Sequence, residues 1–330
     1  MARIVLGLAS SHSPMLNMRP EDWPGYAQIE RNGRIPLLDR QGRPAAFDAL
    51  VAAADPRVAD SIGLAERTRR HQRTEAAIAR LGAILERAAL DALIVLGDDQ
   101  MEMFDENNQP ALSIYHGDAI RSAPFPIDLE RPAFITRAYQ RNCEAGGTRD
   151  YPVAGALARH LIEALIERDF DVATAKALPG DMGEGHALGF VHKRIMTGRV
   201  VPIVPVLLNT YYPPNQPTPR RCYRLGQAFA AAVASFADDA RVGVMASGGL
   251  SHFVIDEELD RQVLAALGAK DAAALQALPR ERLNSGSSEI RNWICLAGAV
   301  EQLTLDWSEY VPCYRTLAGT GTAMGFASWS

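Results

Sequence analysis

The stretch Ala92-Leu-Ile-Val-Leu-Gly-Asp-Asp-Gln100 places the tightest constraint on the fold of this chain. Its apolar residues predict a buried β-strand that ends abruptly in two acids and an amide, Asp98, Asp99 and Gln100. Open α/β sheets present their chemistry in this way, because ligands bind beyond the carboxyl ends of the strands. The three polar residues therefore indicate either a metal-binding edge of a sheet or the start of an ordinary turn.

Strands and helices alternate along the chain. Apolar runs predict further strands at residues 4–8, 200–208 and 242–246. Apolar residues at helical spacing predict helices at 74–90, around 157–165 and 225–236, and around 257–277 and 287–303. No internal repeat or low-complexity linker interrupts the pattern. We therefore predict one α/β domain over residues 1–330, with a central mixed sheet flanked by helices.

Residues 16–70 are rich in Pro, Arg, Asp and Gly and show little periodicity. We interpret them as a long irregular excursion that could contain one helix. A loop of this length in a compact domain usually serves as a functional lid or as an interface.

The composition excludes several classes of function. The net charge of −5 gives no general attraction to nucleic acid or to an anionic membrane. The longest apolar runs are too short to span a bilayer, and the N-terminus lacks the pattern of a signal peptide. The four cysteines are widely spaced without a C-x-x-C pair, which argues against a zinc site or a disulfide framework. We expect a cytoplasmic protein that binds neither nucleic acid nor membrane.

Several residues that could perform chemistry follow the predicted strands. His12 follows the first strand, and His252 follows the strand at 242–246. His186 lies in a Gly-flanked loop, and Glu289 lies at the start of a predicted helix. Two histidines and one carboxylate bind mononuclear non-haem Fe(II) and leave positions open for substrate and oxygen.

Ordinary structural roles would also account for these residues. His12 could simply end a turn, Asp98 and Asp99 could be a solvated turn, and Glu289 could be an acid favoured by a helix dipole. A hydrolase that uses Ser247 or Ser251 with His252 is a further alternative, but the chain lacks the G-x-S-x-G elbow of that class.

The motifs together resemble those of the class III extradiol ring-cleavage dioxygenases, the family of the protocatechuate 4,5-dioxygenase β subunit. The matching segments follow one another in the family's order over most of the chain. They are Gly7-Leu-Ala-Ser-Ser-His-Ser-Pro14, Val201 to Pro214, Gly248-Gly-Leu-Ser-His252 and Ser285-Gly-Ser-Ser-Glu-Ile-Arg-Asn-Trp293. The length and the N-terminal excursion are most similar to the branch that contains 3-O-methylgallate dioxygenases.

The resemblance implies an Fe(II) site in which His12 and Glu289 are ligands. The family's second histidine ligand ends the strand that here ends in Asp98-Asp99-Gln100, so Gln100 stands in its place. We expect the amide oxygen of Gln100 to be the third ligand, with Asp99 or His116 as alternatives. The resemblance also makes His252 the acid/base residue and His186 a pocket residue that hydrogen-bonds the substrate or the bound oxygen.

The function implied by the resemblance is extradiol cleavage of a catechol-type aromatic acid by O2, in the catabolism of aromatic compounds. Candidate substrates resemble 3-O-methylgallate, gallate or protocatechuate. We expect a homo-oligomer, with a small partner subunit as a further possibility. The alternative is a family member that binds metal without cleaving rings and acts as a binding or interaction protein, which the missing histidine ligand favours.

Overall fold

The centre of the molecule is a mixed β-sheet, seen in a computed structural model that describes residues 1–124 and 132–330. The strands of the described residues are β1 (Arg3–Ser10), β2 (Ala92–Asp98), β3 (Leu112–Tyr115), β4 (Ala119–Ser122), β5 (Arg149–Pro152), β6 (Ala173–Ala175), β7 (Ile203–Leu208), β8 (Arg241–Ser247), β9 (His252–Val254), β10 (Leu305–Tyr314) and β11 (Thr320–Trp329).

The strand order in the sheet is β10-β11-β1-β8-β2-β7-β3-β6, and β9 pairs with β11. The neighbouring pairs β1–β8, β8–β2 and β2–β7 are parallel. β11 runs antiparallel to β1, and β3 runs antiparallel to β7. β4 and β5 form a separate antiparallel pair. The prediction of one α/β fold with a central mixed sheet is confirmed.

Helices cover both faces of the sheet. They are α1 (Pro14–Asn17), α2 (Tyr26–Arg31), α3 (Phe47–Ala53), α4 (Val58–Ser61), α5 (Leu64–Arg87), α6 (Ala133–Gln140), α7 (Gly155–Ile166), α8 (His186–Phe190), α9 (Pro219–Ala234), α10 (Glu257–Gly268), α11 (Ala272–Gln276) and α12 (Ile290–Ala299). Over the two described ranges, the helices are too short or too polar to cross a lipid bilayer.

The alternation of side chains along the strands explains why both faces are covered. In β2, Ile94 and Leu96 belong to the core beneath α7, α9 and α12. Leu93 and Val95 belong to the opposite core, which contains residues of α5 and α8. All four side chains are fully buried, because successive residues of a strand point to opposite faces of the sheet. A strand that is apolar throughout therefore has to lie between two layers of helices.

Residues 16–70 differ from the irregular excursion that we predicted. They contain α2, α3, α4 and the start of α5, together with a 3₁₀ helix at Pro20–Gly25. α5 begins at Leu64 instead of near residue 74 because charged pairs stabilise its first turns. Glu66 accepts hydrogen bonds from Arg69 at 2.8 and 2.6 Å and from Arg70 at 2.6 Å. Such i,i+3 and i,i+4 pairs support a helix without producing an apolar stripe in the sequence.

The predicted helix over residues 257–277 is in fact two helices, α10 and α11. The chain turns at Lys270, which has a positive φ of 53°. Asp271 then caps α11, since its carboxylate accepts a hydrogen bond from the backbone N–H of Ala274 at 2.9 Å. The predicted helix at 287–303 is shorter, because a 3₁₀ turn at Ser285–Glu289 precedes α12.

Candidate active site

The parallel arrangement of β1, β8 and β2 brings the functional side chains together. Because these three strands are neighbours and run in the same direction, the segments that follow them meet at one edge of the sheet. His12 follows β1, Asp98 ends β2, and the Gly248–His252 segment follows β8. Asp98 and His12 are almost completely buried there.

The hydrogen bonds of His12 determine which of its ring nitrogens is free. Its Nδ1 lies 3.0 Å from the hydroxyl oxygen of Ser247. That hydroxyl donates its single hydrogen to the carbonyl of Ala187 at 2.8 Å, so the Nδ1–H of His12 must be the donor to Ser247. The Nε2 of His12 therefore carries a lone pair, and it is buried without a hydrogen-bond partner among the described residues. Burial, reinforced by nearby His186, lowers the pKa of His12 to about 3 and keeps the ring neutral.

Glu289 lies opposite His12 at the end of the 3₁₀ turn that precedes α12. Its Oε2 accepts a hydrogen bond from the backbone N–H of Gly249 at 2.6 Å and lies 3.9 Å from His12 Nε2. Burial opposes ionisation of this carboxyl, but the charge and hydrogen bond of His252 outweigh it and lower the Glu289 pKa to about 2. Gly248 is required here, since its φ is +113° and a Cβ would lie 2.5 Å from Glu289 Oε2.

His252 is held between a carbonyl and this carboxylate. Its Nδ1 lies 2.9 Å from the carbonyl oxygen of Leu250, which can only accept, so Nδ1 carries a hydrogen. Its Nε2 lies 3.2 Å from Glu289 Oε1. Burial disfavours the protonated ring, but the charge of Glu289 and the hydrogen bond to it raise the pKa of His252 above its ordinary value. The ring is therefore placed to take up and hold a proton at Nε2.

Asp98 and His186 complete the cluster. Asp98 Oδ1 and His186 Nε2 lie 3.9 Å apart, and both are buried without a hydrogen-bond partner within residues 1–124 and 132–330. One ligand atom from each of His12, Asp98 and His186 lies within 4.8 Å of the other two, a grouping that could hold a metal ion. The rings of His12 and His186 meet edge to face, with centroids 4.7 Å apart.

The charges of this cluster shift the pKa values of Asp98 and His186 upwards. Burial, together with the negative charge of Glu289, raises the Asp98 pKa to about 7. Burial opposes protonation of His186, but the carboxylates of Glu102, Asp98 and Glu289 outweigh it and raise its pKa to about 10.

The five residues that the sequence analysis selected line one cavity of about 810 Å³, which is large enough for a single aromatic ring with its substituents. They are His12, Gln100, His186, His252 and Glu289. Asp98 was not among the ligands that we expected from the sequence, and Glu102 was not among the expected site residues. The signal for both was present in the acidic cluster after β2.

The three polar residues at the end of β2 have different contacts, and Gln100, the expected ligand, lines the cavity. Gln100 is exposed at the cavity, and its side-chain nitrogen donates a hydrogen bond to Asp98 Oδ2 at 3.2 Å. Asp99 is turned away and accepts hydrogen bonds from the backbone N–H groups of Met103 and Phe104 at 2.7 and 3.2 Å. Asp98, which ends β2, is the residue that faces the two histidines.

His116 lies at the other edge of the sheet. It follows β3, and β3 runs antiparallel to β7, which is itself parallel to β2. The carboxyl end of β3 therefore points away from the carboxyl ends of β1, β2 and β8. This orientation removes His116 as a substitute ligand.

The remaining wall of the cavity is largely apolar and comes from the segments around α1, α2 and α6 and from β9. These wall residues are Pro14, Tyr26, Ile29, Ile35, Pro132, Ile135, Tyr139 and Phe253. Two arginines, Arg34 and Arg315, also line it. The histidines and carboxylates thus form a polar end of the cavity, and the rest of its lining is an apolar wall with two cationic side chains.

Comparisons with known proteins relate the chain to ring-opening dioxygenases. Residues 136–325, more than half of the chain, match the family described as the catalytic LigB subunit of aromatic ring-opening dioxygenase. The chain is 36% identical to gallate dioxygenase of Pseudomonas putida over 117 residues, 34% of each protein. It is 35% identical to 2,3-dihydroxyphenylpropionate/2,3-dihydroxicinnamic acid 1,2-dioxygenase of Comamonas testosteroni over 102 residues, 30% of each protein.

These matches span only about a third of the length of either relative. The family match includes His186, His252 and Glu289, whereas His12 and Asp98 precede it. The resemblance drawn from the sequence motifs is confirmed, and the chain belongs to the LigB family of aromatic ring-opening dioxygenases.

Proposed function

We propose that this protein is a non-haem Fe(II)-dependent dioxygenase that cleaves a catecholic aromatic acid beside its paired hydroxyls, with O2 as the oxidant. One observation carries the proposal. Unpartnered ligand atoms of His12, Asp98 and His186 converge beside Glu289 and His252 at the wall of a cavity of the size of one substituted ring.

The donor set fits a ferrous ion. Imidazole nitrogens with carboxylate oxygens are the ligands of mononuclear non-haem iron, and His12 presents a bare Nε2 lone pair. His12 and Glu289 are the donors implied by the resemblance, and Asp98 and His186 are the donors that the geometry adds. We therefore propose that these four residues, in place of His12, Gln100 and Glu289, hold the iron. Two carboxylates would then balance the two positive charges of the ion.

When bound, Fe(II) supplies a common site for the ring oxygens and O2 and a route for electrons between them. The protein supplies the proton chemistry. His252 Nε2 takes a phenolic proton, because Nδ1 is already committed to the carbonyl of Leu250. Glu289 Oε1, 3.2 Å away, stabilises the resulting imidazolium. The same Nε2–H can return the proton later in the reaction.

The apolar wall orients the ring and excludes water around it, which strengthens the electrostatic interactions within the site. The two arginines support an acidic substituent on the substrate. Arg315 is already paired, since its Nε donates to Glu30 Oε1 at 2.8 Å. Arg34 is exposed at the cavity and has no ion pair with the described residues. Arg34 is therefore the cation that we assign to the substrate carboxylate.

The direct test is anaerobic reconstitution with Fe(II), followed by exposure to O2 with a panel of catechols, among them protocatechuate, gallate and 3-O-methylgallate. Ring-cleavage products give new absorbance bands, so the panel also determines the substrate class. We expect turnover of at least one carboxylated catechol. A protein that binds iron but opens none of the rings would instead be a metal-binding family member without this activity.

His252→Phe separates metal binding from proton transfer. The variant should retain iron and substrate but lose turnover by about 10²- to 10⁴-fold, the usual contribution of a positioned acid/base group. Near-normal turnover would show that a group other than His252 is the acid/base residue.

Asp98→Asn and Gln100→Ala distinguish the two strand-end donors. If Asp98 holds the metal, Asp98→Asn weakens Fe(II) binding, whereas Gln100→Ala changes it little because the amide of Gln100 hydrogen-bonds Oδ2 of Asp98 and not the unpartnered Oδ1. The reverse order of affinities would restore Gln100 as the donor.

A further inference from the structure

We propose that Glu102 is the positioning residue of the metal centre, because it fixes the ring of His186 with Nε2 directed at His12 and Asp98. This inference rests on the proposed function, since it concerns the same centre. Glu102 lies in the turn after β2, and His186 begins α8, 84 residues later in the chain.

Glu102 binds both the backbone and the ring of His186. The backbone N–H of His186 donates to Glu102 Oε1 at 2.9 Å and to Oε2 at 3.1 Å. The ring Nδ1 lies 2.7 Å from Oε2. Two attachments to one residue fix its position and also the rotation of its ring. The residue before α8, Gly185, has no side chain that could cap the helix, and the Glu102 carboxylate accepts from the first backbone N–H of α8 instead.

The contact also sets the tautomer of His186. A carboxylate only accepts hydrogen bonds, so the ring donates from Nδ1 and its neutral form carries the lone pair on Nε2. That Nε2 is the atom left unpartnered, 3.9 Å from Asp98 Oδ1. Carboxylates that accept from the distal nitrogen of a metal-bound histidine orient the ring and increase its basicity.

The residue before His186 is adapted to the same contact. A Cβ on Gly185 would lie 2.6 Å from Glu102 Oε2, which is closer than carbon and oxygen normally approach. Gly185 thus leaves the space into which the Glu102 carboxylate fits. The turn after β2 therefore contributes to the metal centre through Glu102, which holds the imidazole of His186 in α8.

The test is metal binding by Glu102→Gln and Glu102→Ala, measured with Fe(II) under anaerobic conditions and with Co(II), whose visible absorption reports the ligand field. Glu106→Gln is the matched control, since Glu106 is exposed in the same turn. We expect Glu102→Ala to weaken metal binding by about 10- to 100-fold and to alter the Co(II) spectrum. Glu102→Gln should lie between the wild type and Glu102→Ala, because its amide oxygen can still accept from Nδ1–H.

A double-mutant cycle shows whether Glu102 acts through His186. In a His186→Ala background, Glu102→Ala should have no further effect on metal affinity. Equal metal affinity and spectra for Glu102→Ala, Glu106→Gln and the wild type would overturn the proposal, as would additive effects in the cycle.

The two proposals fail separately. Altered metal binding by the Glu102 variants, with no ring opened by the wild type, would refute the dioxygenase function and leave the positioning role intact. If the wild type cleaves a ring but the Glu102 variants bind metal as tightly as the wild type, the dioxygenase function stands and the positioning role of Glu102 is refuted.

Discussion

Gly286 lies against the imidazole of His252, and adding one methyl group there tests the role of that histidine without touching it. A Cβ at residue 286 would lie 2.0 Å from His252 Cδ2 and 2.5 Å from Cγ and Nε2. Ordinary contacts begin near 3.4 Å, so the ring would have to retreat by about 1.4 Å. The backbone of Gly286 does not have a positive φ, so the conflict in Gly286→Ala comes from space alone.

The contacts of His252 give the loss of folding stability that this displacement of its ring would cause. The displacement would disrupt the hydrogen bond to Leu250 at 2.9 Å and the contact with Glu289 at 3.2 Å. Overpacking a buried site costs about 1–3 kcal/mol, and a buried hydrogen bond left unmade costs a similar amount. The two costs together lead us to expect that Gly286→Ala lowers the free energy of unfolding by about 2–6 kcal/mol. A catalytic group displaced by about 1 Å reduces turnover by about 10²-fold.

The assay combines kcat for the best catechol, bound iron per chain, and urea unfolding. Iron content should stay near that of the wild type, because His252 is not among the proposed donors. Gly146→Ala is the control, since a Cβ at residue 146 meets no atom within 4 Å. In a His252→Ala background the added methyl group has space, so Gly286→Ala should then cost little stability. Wild-type kcat in Gly286→Ala, or an undiminished stability cost without the ring, would refute the reasoning.

Three further predictions concern the metal, the substrate and stability. His12→Ala should lose its iron on gel filtration while circular dichroism shows an intact fold; stoichiometric iron would remove His12 from the centre. Arg34→Gln should raise KM for protocatechuate by up to about fivefold, the scale of an exposed ion pair, and leave KM for 4-methylcatechol unchanged; equal effects on both substrates would contradict carboxylate recognition. Burial outweighs three hydrogen bonds and raises the pKa of Asp260 to about 7 from 3.8, so the folded state keeps this proton to higher pH than the unfolded state. The resulting stability, up to about 4 kcal/mol, is present below pH 4 and is lost as the pH rises to 7; urea unfolding of Asp260→Asn should show a flatter profile over that range, and an unchanged profile would refute the assignment.

The fold class and the central strands were predictable because their signals are local. Apolar runs such as Ala92–Leu96 have strand length, and their side chains are buried on both faces of the sheet, as the sequence indicated. The start of α5 was missed because it depends on the pairs of Glu66 with Arg69 and Arg70, which leave no apolar periodicity. Periodicity reports the burial of one face of a helix, and charged pairs on the surface do not contribute to it.

The site was only partly predictable, because part of it depends on strand direction and on distant contacts. The sequence does not show that β3 runs antiparallel to β7, and that direction alone places His116 at the wrong edge. It also does not show where β2 ends. In a continuous strand, the side chains of Asp98 and Gln100 would point to the same face of the sheet. The chain leaves the sheet after Asp98, so the direction of the Gln100 side chain no longer follows from its position in the strand. The contact of Glu102 with His186 joins residues 84 apart and has no local signature.

The acids at the end of β2 and in the turn after it have separate structural roles, which their hydrogen-bond partners show. Asp99 orders the turn by accepting two backbone N–H groups, and Glu102 holds His186. Asp98 is left facing the histidines with one oxygen unpartnered among the described residues.

The cluster therefore contains three carboxylates, those of Asp98, Glu102 and Glu289, and three histidines. Asp98 and Glu289 are buried and Glu102 is partly buried, which is unfavourable unless positive charge compensates the acids. Without a metal ion, protons have to supply that charge. The pKa of His186 is accordingly raised to about 10, and the pKa of Asp98 to about 7. A divalent cation that binds the unpartnered atoms would displace those protons. Its two positive charges would then balance the carboxylates, and His186 and Asp98 would not need to be protonated. Metal affinity should therefore fall as the pH is lowered, because protons and the cation compete for the same lone pairs.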